Sequence, residues 1–312
     1  MDIKKKLRRW FRKNGWIAAV DAALTLAVLA GFAYVHHGMV RTEAGPRLVS
    51  CRSGVTYKLE EGFETAFEGG DAGRFEFEGV FTSGPRRAEG RYSDAGCSVT
   101  ISEFEAETGK VQVADVYVAD IARLQTVMAN DAYGKGQRED PAAMTARSGA
   151  VFSITGDNYS ERYGGVVMRN GVLYSDDIDS DICVLNWDGS MELYRMRDYD
   201  LPEIMEKGAY QIWSFGPILL EDGEIPAQYI TDMLRPCRRA AIGYYEPGHY
   251  CFVIMDGDVS LKALSAQMQA LGCESAYALY GGRLAQMNYD GATVSTYQEV
   301  SRECSDIIMI TE

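Results

Sequence analysis

Short apolar runs separated by turn residues dominate the chain beyond residue 72, and they predict a protein built mainly of strands. Residues 73–84 and 97–107 alternate apolar and polar side chains, as a half-buried strand does. Residues 111–121 are apolar at nearly every position, which is typical of a strand buried on both faces. Further strands are predicted at 150–159, at 275–282 and at the C-terminus.

Turn dipeptides and two helical patterns complete the predicted elements. Residues 120–131 and 260–272 have apolar side chains at helical spacing, and the second pattern begins with a capping Ser260 and ends at Gly272. Three dipeptides between apolar runs predict hairpins: Asn170-Gly171, Asp188-Gly189 and Pro247-Gly248. Many strands and few helices predict an α+β fold, with a mixed or mainly antiparallel sheet and flanking helices.

The N-terminus predicts one transmembrane helix. Residues 1–15 form a basic tail, and residues 16–36 form an apolar segment of about the length that crosses a bilayer. Asp21 is the only charged residue within that segment, near its basic end. Because basic residues stay inside, we expect a single-pass protein of the cell membrane with a cytoplasmic N-terminus. A cleaved signal peptide is the alternative, but the apolar run is long and no clean cleavage site follows it.

The remaining chain divides into a linker with an accessory β region at 37–94 and a main domain at 95–312, which we place outside the cytoplasm. The net charge of the whole chain is −14. Seven basic residues and one acid lie in the first thirteen positions, which leaves 24 basic and 44 acidic residues beyond them. A domain this acidic repels nucleic acid, so no nucleic-acid partner is expected.

Cysteines and histidines do not form a metal-binding pattern. The seven cysteines contain no C-x-x-C pair, and His249 is the only histidine beyond residue 37. Acidic residues between Asp177 and Asp188 have offsets like those of a calcium loop, but Ile182 stands where that loop needs glycine. No metal site and no cofactor are expected; the alternative is a divalent metal, which no residue pattern supports.

The order of short motifs over about 97–312 carries a family resemblance. In chain order the motifs read YVADI, TGDNY, RNGVLYSD, WSFGPILLEDG, RRAAIGYY, VIMDG, LGCESAYALYGGRLAQM and SRECSDIIMI. This series resembles the phosphodiester glycosidase family. The resemblance implies hydrolysis of the bond between a sugar's anomeric carbon and a phosphodiester. The implied ligand is a sugar phosphodiester or an envelope polysaccharide.

The family pattern N-L-D-G-G-G-S-S-x-M aligns with residues 278–287, where several positions differ. Gly281 and Gly282 persist, but Tyr280 stands at the position of the family's acid and Arg283 replaces the third glycine. The two serines are replaced by leucine and alanine. The resemblance makes Tyr280 a candidate catalytic position, and Gly281, Gly282 and Arg283 candidate phosphate-binding residues.

Two other motifs supply the remaining candidates. The family's I-N-G-D-Y-Y aligns with residues 154–159, which makes Asp157 a candidate catalytic acid and Thr155 and Gly156 candidate binding residues. The arginine of its P-R-T-A-I-G aligns with Arg239, a candidate phosphate clamp. Asp157 in a Gly-Asp turn is equally suited to capping that turn. The alternative role for Arg239 is a structural ion pair with an acid of this acidic domain.

The loss of the family's acid leaves two functions open. Glycosidic cleavage normally needs two carboxylates, and a phenol with a pKa near 10 does not replace one at neutral pH, although some glycosidases use a tyrosine nucleophile. The first interpretation is a tethered phosphodiester glycosidase. The alternative is a pseudoenzyme that binds a cell-envelope glycan without cleaving it.

Overall fold

The computed structural model describes most of the chain beyond residue 72 and shorter pieces before it. The described residues are 10, 16–17, 20, 23–31, 47–50, 56–59, 63–64, 73–161, 165–196, 198–226, 235–300 and 302–312. The chain divides into two compact units, Met1–Gly45 and Pro46–Glu312.

In the first unit residues 23–31 are helical. They lie within the predicted anchor at 16–36; Asp21 and nearly all of the basic tail lie outside the described residues. Within the described part of the chain, no helix combines the length and the apolar character needed to cross a membrane.

The second unit contains the strands of the described residues. The first strands are β1 (Arg47–Ser50), β2 (Thr56–Leu59), β3 (Phe63–Glu64), β4 (Arg86–Ala88), β5 (Arg91–Ser93), β6 (Cys97–Ala106), β7 (Gly109–Val118) and β8 (Leu124–Met128). The middle strands are β9 (Ala150–Thr155), β10 (Gly165–Arg169), β11 (Val172–Asp177), β12 (Ile182–Asn186), β13 (Met191–Tyr194), β14 (Ala209–Trp213) and β15 (Ile218–Leu220). The last strands are β16 (Cys237–Glu246), β17 (His249–Val259), β18 (Ser275–Leu279), β19 (Met287–Tyr289), β20 (Ala292–Ser295) and β21 (Asp306–Thr311).

Three short helices lie between these strands in the described residues of the second unit: α1 (Pro141–Ser148), α2 (Leu201–Glu206) and α3 (Leu261–Ala270). The Asp140 side chain caps α1, and Gly149 ends it in the left-handed region with φ 67°. The Ser260 hydroxyl caps α3 by accepting a hydrogen bond from the Ala263 N–H. The predicted helix at 260–272 is therefore confirmed.

The described strands form antiparallel sheets, and three of these are large. The eight-stranded sheet has the order β15-β18-β16-β17-β7-β6-β5-β4, the five-stranded sheet β20-β19-β9-β21-β8, and the six-stranded sheet β13-β12-β14-β10-β11-β3. Every strand pairing in the described residues is antiparallel. The predicted α+β class with antiparallel sheets and few helices is confirmed.

The main core contains side chains from all three large sheets. Phe152 of β9 and Phe252 of β17 are fully buried there, with ring centroids 5.3 Å apart. Burying one such side chain contributes about 1.5–3 kcal/mol. A second cluster packs Leu264 and Met268 of α3 onto the other face of the eight-stranded sheet, so its central strands are buried on both faces.

The three predicted hairpins are confirmed, while two other local predictions are wrong. The turns lie between β10 and β11, β12 and β13, and β16 and β17. Residues 73–84 contain only an isolated bridge at Arg74, and residues 120–131 form β8 between two 3₁₀ turns instead of a helix. Because β8 pairs along β21, sheet hydrogen bonds replace those of the helix.

Candidate functional site

A cleft of about 700 Å³ lies beside the turn that follows β18, and we call it the arginine cleft. Its charged lining comprises Arg138, Arg239, Arg283 and Arg302 with Glu161 and Glu303. Phe215, Cys237 and residues 280–282 and Leu284 line the remainder. Four cations against two carboxylates make a basic site on a chain of net charge −14.

The two glycines of the turn are required by the backbone geometry. A Cβ on Gly281 would lie 2.6 Å from the Arg238 carbonyl oxygen, so a side chain does not fit there. Gly282 has φ 65°, which is strained for other residues. The glycines therefore bring the end of β18 against the start of β16, which carries Arg239.

Tyr280 is half-buried at the start of this turn. Its N–H donates to the Gly156 carbonyl at 3.0 Å, and its ring meets that of Phe215 edge to face with centroids 4.9 Å apart. Burial raises the pKa of the Tyr280 hydroxyl above its ordinary value. The phenol is therefore protonated at neutral pH, so it donates hydrogen bonds but does not act as a base.

The cleft arginines are held to different degrees. Arg239 is buried, and its guanidinium donates to the carbonyls of Val259 at 3.1 Å and Arg235 at 3.0 Å. Arg138, Arg283 and Arg302 are exposed. Arg138 pairs with Glu161 at 3.0 Å. Guanidinium groups on a cleft wall are the side chains best suited to forked hydrogen bonds with phosphate.

Asp157 lies behind the cleft instead of lining it. Its carboxylate is fully buried, pairs with Arg169 at 3.3 Å, and accepts the Ser214 N–H at 3.1 Å. Arg169 also donates to Asp306 at 2.7 Å, and Asp306 in turn accepts the Asp157 N–H at 2.7 Å. In this arrangement Asp157 is part of a buried ion network, and its proposed catalytic role stays a prediction.

The same network perturbs Asp306. Burial, together with the nearby Asp157 charge, raises the pKa of Asp306 to about 6. The Arg169 guanidinium lowers this pKa, but by a smaller amount.

Thr155 and Gly156 also lie beneath the turn. A Cβ on Gly156 would lie 2.6 Å from a carboxylate oxygen of Asp306, so glycine allows that close approach. The buried Thr155 hydroxyl donates to the Leu284 carbonyl at 3.0 Å and accepts the Gln286 N–H at 2.7 Å. These contacts attach the cleft turn to β9 and do not place Thr155 among the lining residues.

The structure therefore separates the candidates into two layers. Tyr280, Gly281, Gly282, Arg283 and Arg239 line the cleft. The three candidates at 155–157 support it from the interior.

Several residues of both layers were missed by sequence reasoning. They are Arg138, Glu161, Arg302 and Glu303 in the cleft, and Arg169 and Asp306 in the network. A charged residue within an otherwise apolar strand, such as Asp306 in SDIIMI, is the sequence signal that could have indicated the network.

Other chemistry-bearing groups lie elsewhere. His249 pairs with Asp115 at 2.7 Å and stacks on Tyr117, outside the residues that line the cleft. Within the described residues, no group of three or more His, Cys, Asp or Glu side chains is arranged to hold a metal ion.

Comparisons with known proteins agree with this architecture. The model of the phosphodiester glycosidase family matches residues 143–311. An uncharacterised protein derived from the SPbeta prophage of Bacillus subtilis (strain 168), YomE, is 26% identical over 198 residues, which are 57% of this chain. The chain covers 30% of that relative's length.

Two solved structures share the fold. The zebrafish N-acetylglucosamine-1-phosphodiester alpha-N-acetylglucosaminidase catalytic domain, auto-inhibited by its pro-peptide, matches with a TM-score of 0.57 and 17% identity, over 78% of this chain and 87% of that one. A hypothetical protein from Synechocystis matches with a TM-score of 0.53 and 13% identity, over 69% and 62%. At these identities the likeness concerns the fold alone.

Proposed function

We propose that this chain, which belongs to the phosphodiester glycosidase family, binds a sugar phosphodiester of a cell-envelope polymer in the arginine cleft. The observation that carries the proposal is the group of four arginines around the Gly281-Gly282 turn. A phosphodiester bears one negative charge, which the rest of this acidic chain would repel. The aromatic rings of Phe215 and Tyr280 on the same wall offer an apolar surface to the attached sugar.

Binding is tested by calorimetry with an alkyl diester of N-acetylglucosamine-1-phosphate, the substrate type in the name of the zebrafish protein. Replacing Arg283 or Arg302 by methionine should weaken binding roughly 10- to 100-fold, since a charge-assisted hydrogen bond is worth about 1.5–3 kcal/mol. Arg87→Met is the matched control, because Arg87 pairs with Glu312 on the surface and does not line the cleft. Equal affinity in all three variants would refute the proposal.

The position of Tyr280 favours binding without hydrolysis. Its phenol is protonated at neutral pH, and Asp157 is buried against Arg169, so neither supplies a carboxylate to the cleft. In a sugar-release assay with the same diester, we expect no turnover by the wild-type protein. Tyr280→Asp should then produce measurable release, whereas Tyr280→Phe should not. Robust turnover by the wild type would eliminate the binding-only function.

Hydrolysis is the second candidate, because Glu161 and Glu303 provide two carboxylates in the same cleft. If the wild type releases sugar, Glu161→Gln and Glu303→Gln should each reduce that release by about 100-fold or more while leaving diester affinity within a few-fold. Turnover unaffected by both substitutions would exclude this pair as the catalytic acids.

We further propose that the N-terminal segment tethers the domain to the outer face of the cell membrane. The basic tail followed by an apolar run supports this, as do the exposed Leu24, Leu26 and Val28. The full-length protein should remain in the membrane pellet after a carbonate wash and be digested by protease added outside intact cells. Recovery in the soluble fraction would contradict the tether.

A further inference from the structure

Two cysteine sulfurs meet in the second hydrophobic cluster, beneath α3. The Sγ atoms of Cys251 on β17 and Cys273, just after α3, lie 3.5 Å apart, and both side chains are buried. We call these residues the thiol pair. The two positions are separated by 22 residues in sequence.

A glycine on the intervening strand allows the sulfurs to meet. Gly243 of β16 lies opposite Cys251 in the sheet. A Cβ on Gly243 would lie 2.7 Å from the Cys251 sulfur and 2.6 Å from the Cys273 sulfur. Both sulfurs therefore occupy the space that a side chain of β16 would fill, and nothing separates them.

We propose that Cys251 and Cys273 are an oxidisable pair that forms a disulfide, linking the central strand β17 to the segment between α3 and β18. This modification does not depend on any ligand of the arginine cleft. A disulfide bond is about 2.05 Å long, so the two sulfurs must approach each other by about 1.5 Å to form one.

The oxidant belongs to the class of small disulfides, such as oxidised glutathione. One protein thiolate attacks a glutathione sulfur, forming a mixed disulfide and releasing the first glutathione. The second protein thiolate then attacks the mixed disulfide and releases the second glutathione. Two protein thiols and one oxidised glutathione thus give one protein disulfide and two reduced glutathiones, which carry away both protons.

The pair itself distinguishes its members chemically. The hydrogen bond from Cys251 holds the pKa of the Cys273 thiol below its ordinary value, whereas the pKa of Cys251 is well above it. Cys273 is therefore the better first nucleophile. The half-buried Tyr245 packs against the cluster that contains the pair.

Other buried cysteines have different surroundings. The thiols of Cys97 and Cys304 donate to backbone carbonyls at 3.6 Å and 3.3 Å. Burial alone raises the pKa of the Cys183 thiol, so it is a suitable control. Among the described cysteines, the thiol pair is the one whose sulfurs contact each other.

The link would restrain the strand that leads to the cleft. Cys273 lies two residues before the start of β18, and β18 ends directly before Tyr280. A disulfide closing a loop of this length is expected to raise Tm by roughly 7–14 °C relative to the reduced protein, mainly by constraining the unfolded chain.

The full-length protein is unfolded in reductant, refolded in a glutathione redox buffer, denatured again and alkylated before digestion. Of its seven cysteines, we expect five to be alkylated, with a linked peptide joining Cys251 to Cys273. Seven alkylated cysteines, or a link between other cysteines, would overturn the proposal.

Stability provides the second measurement. The rise in Tm on oxidation should be absent in Cys273→Ala and retained in Cys183→Ala, a buried control outside the pair. Peptide mapping of the wild-type protein tests for the Cys251–Cys273 disulfide directly, so it remains informative even if a variant fails to fold. An equal rise in Cys273→Ala would also refute the link.

Discussion

Removing the buried cation Arg169 is the sharpest test of how the cleft is supported. Arg169 is 1% exposed, and Arg169→Met would remove the cation that pairs with the carboxylates of Asp157 and Asp306 in the interior. The backbone carbonyls of Met168 and Ile212 would also lose a donor. Breaking one such buried pair costs about 3–5 kcal/mol. For a domain of this size we therefore expect Tm to fall by roughly 6–20 °C.

The pH dependence separates charge from packing in this variant. An acid whose pKa is raised on folding binds its proton more tightly in the folded state, so its contribution to stability declines as pH rises through that pKa. Burial places the pKa of Asp306 at about 6 against an ordinary value of 3.8. Without Arg169 that pKa should rise further, so the stability lost in the variant should grow between about pH 5 and about pH 8.

The assay is urea unfolding of the full-length protein, monitored by tryptophan fluorescence, to which the buried Trp213 contributes. Arg87→Met is the control, because its surface ion pair with Glu312 should contribute under about 1 kcal/mol at either pH. If Arg169→Met loses the same amount of stability at about pH 5 and at about pH 8, then packing and not charge is responsible for the loss. A loss no larger than the control's would refute the buried-network reasoning altogether.

Three further substitutions test local features of the structure. Gly281→Ala should cost about 1–3 kcal/mol, because its Cβ would lie 2.6 Å from the Arg238 carbonyl oxygen; wild-type stability by urea unfolding would show that the turn has room. Asp94→Asn should lower stability at neutral pH by about 1–3 kcal/mol. Although burial raises the pKa of Asp94, hydrogen bonds from two backbone N–H groups and a tyrosine hydroxyl hold it below its ordinary 3.8. The loss of stability caused by Asp94→Asn should therefore disappear as pH falls through the lowered pKa of Asp94. A loss that persists in acid would contradict this assignment. Ser260→Ala should cost about 1 kcal/mol through loss of the α3 cap, and an unchanged Tm would show that the bond to the Ala263 N–H contributes nothing.

Local chemistry explains which elements the sequence could predict. The Asn170-Gly171 turn has φ values of 52° and 83°, which these two residue types tolerate best, so the hairpin follows from two adjacent residues. The helix at 261–270 follows from its cap and its apolar stripe. By contrast, α1 was missed although Asp140, Pro141 and Gly149 mark its ends, because its buried face carries Met144 and Thr145 instead of a row of large apolar side chains.

Elements that depend on distant partners could not be read in this way. The apolar spacing of residues 120–131 fits a helix, but hydrogen bonds to β21, some 180 residues later in the chain, make Leu124–Met128 a strand. The pairing of Arg169 with Asp306 likewise joins residues 137 positions apart. Neither partner carries a local signal for the other.

Motif order and adjacent residues were enough to predict the family, an α+β fold with a mixed or mainly antiparallel sheet, the hairpins, and a tyrosine at the position of the family's acid. Which candidates reach the cleft depends on contacts between distant parts of the folded chain. The tertiary structure placed Arg239, Tyr280 and Arg283 on the wall and Asp157 in the interior. The physical reason is burial: a carboxylate removed from water must find a cation and N–H donors, and these come from strands that are neighbours only in the folded chain.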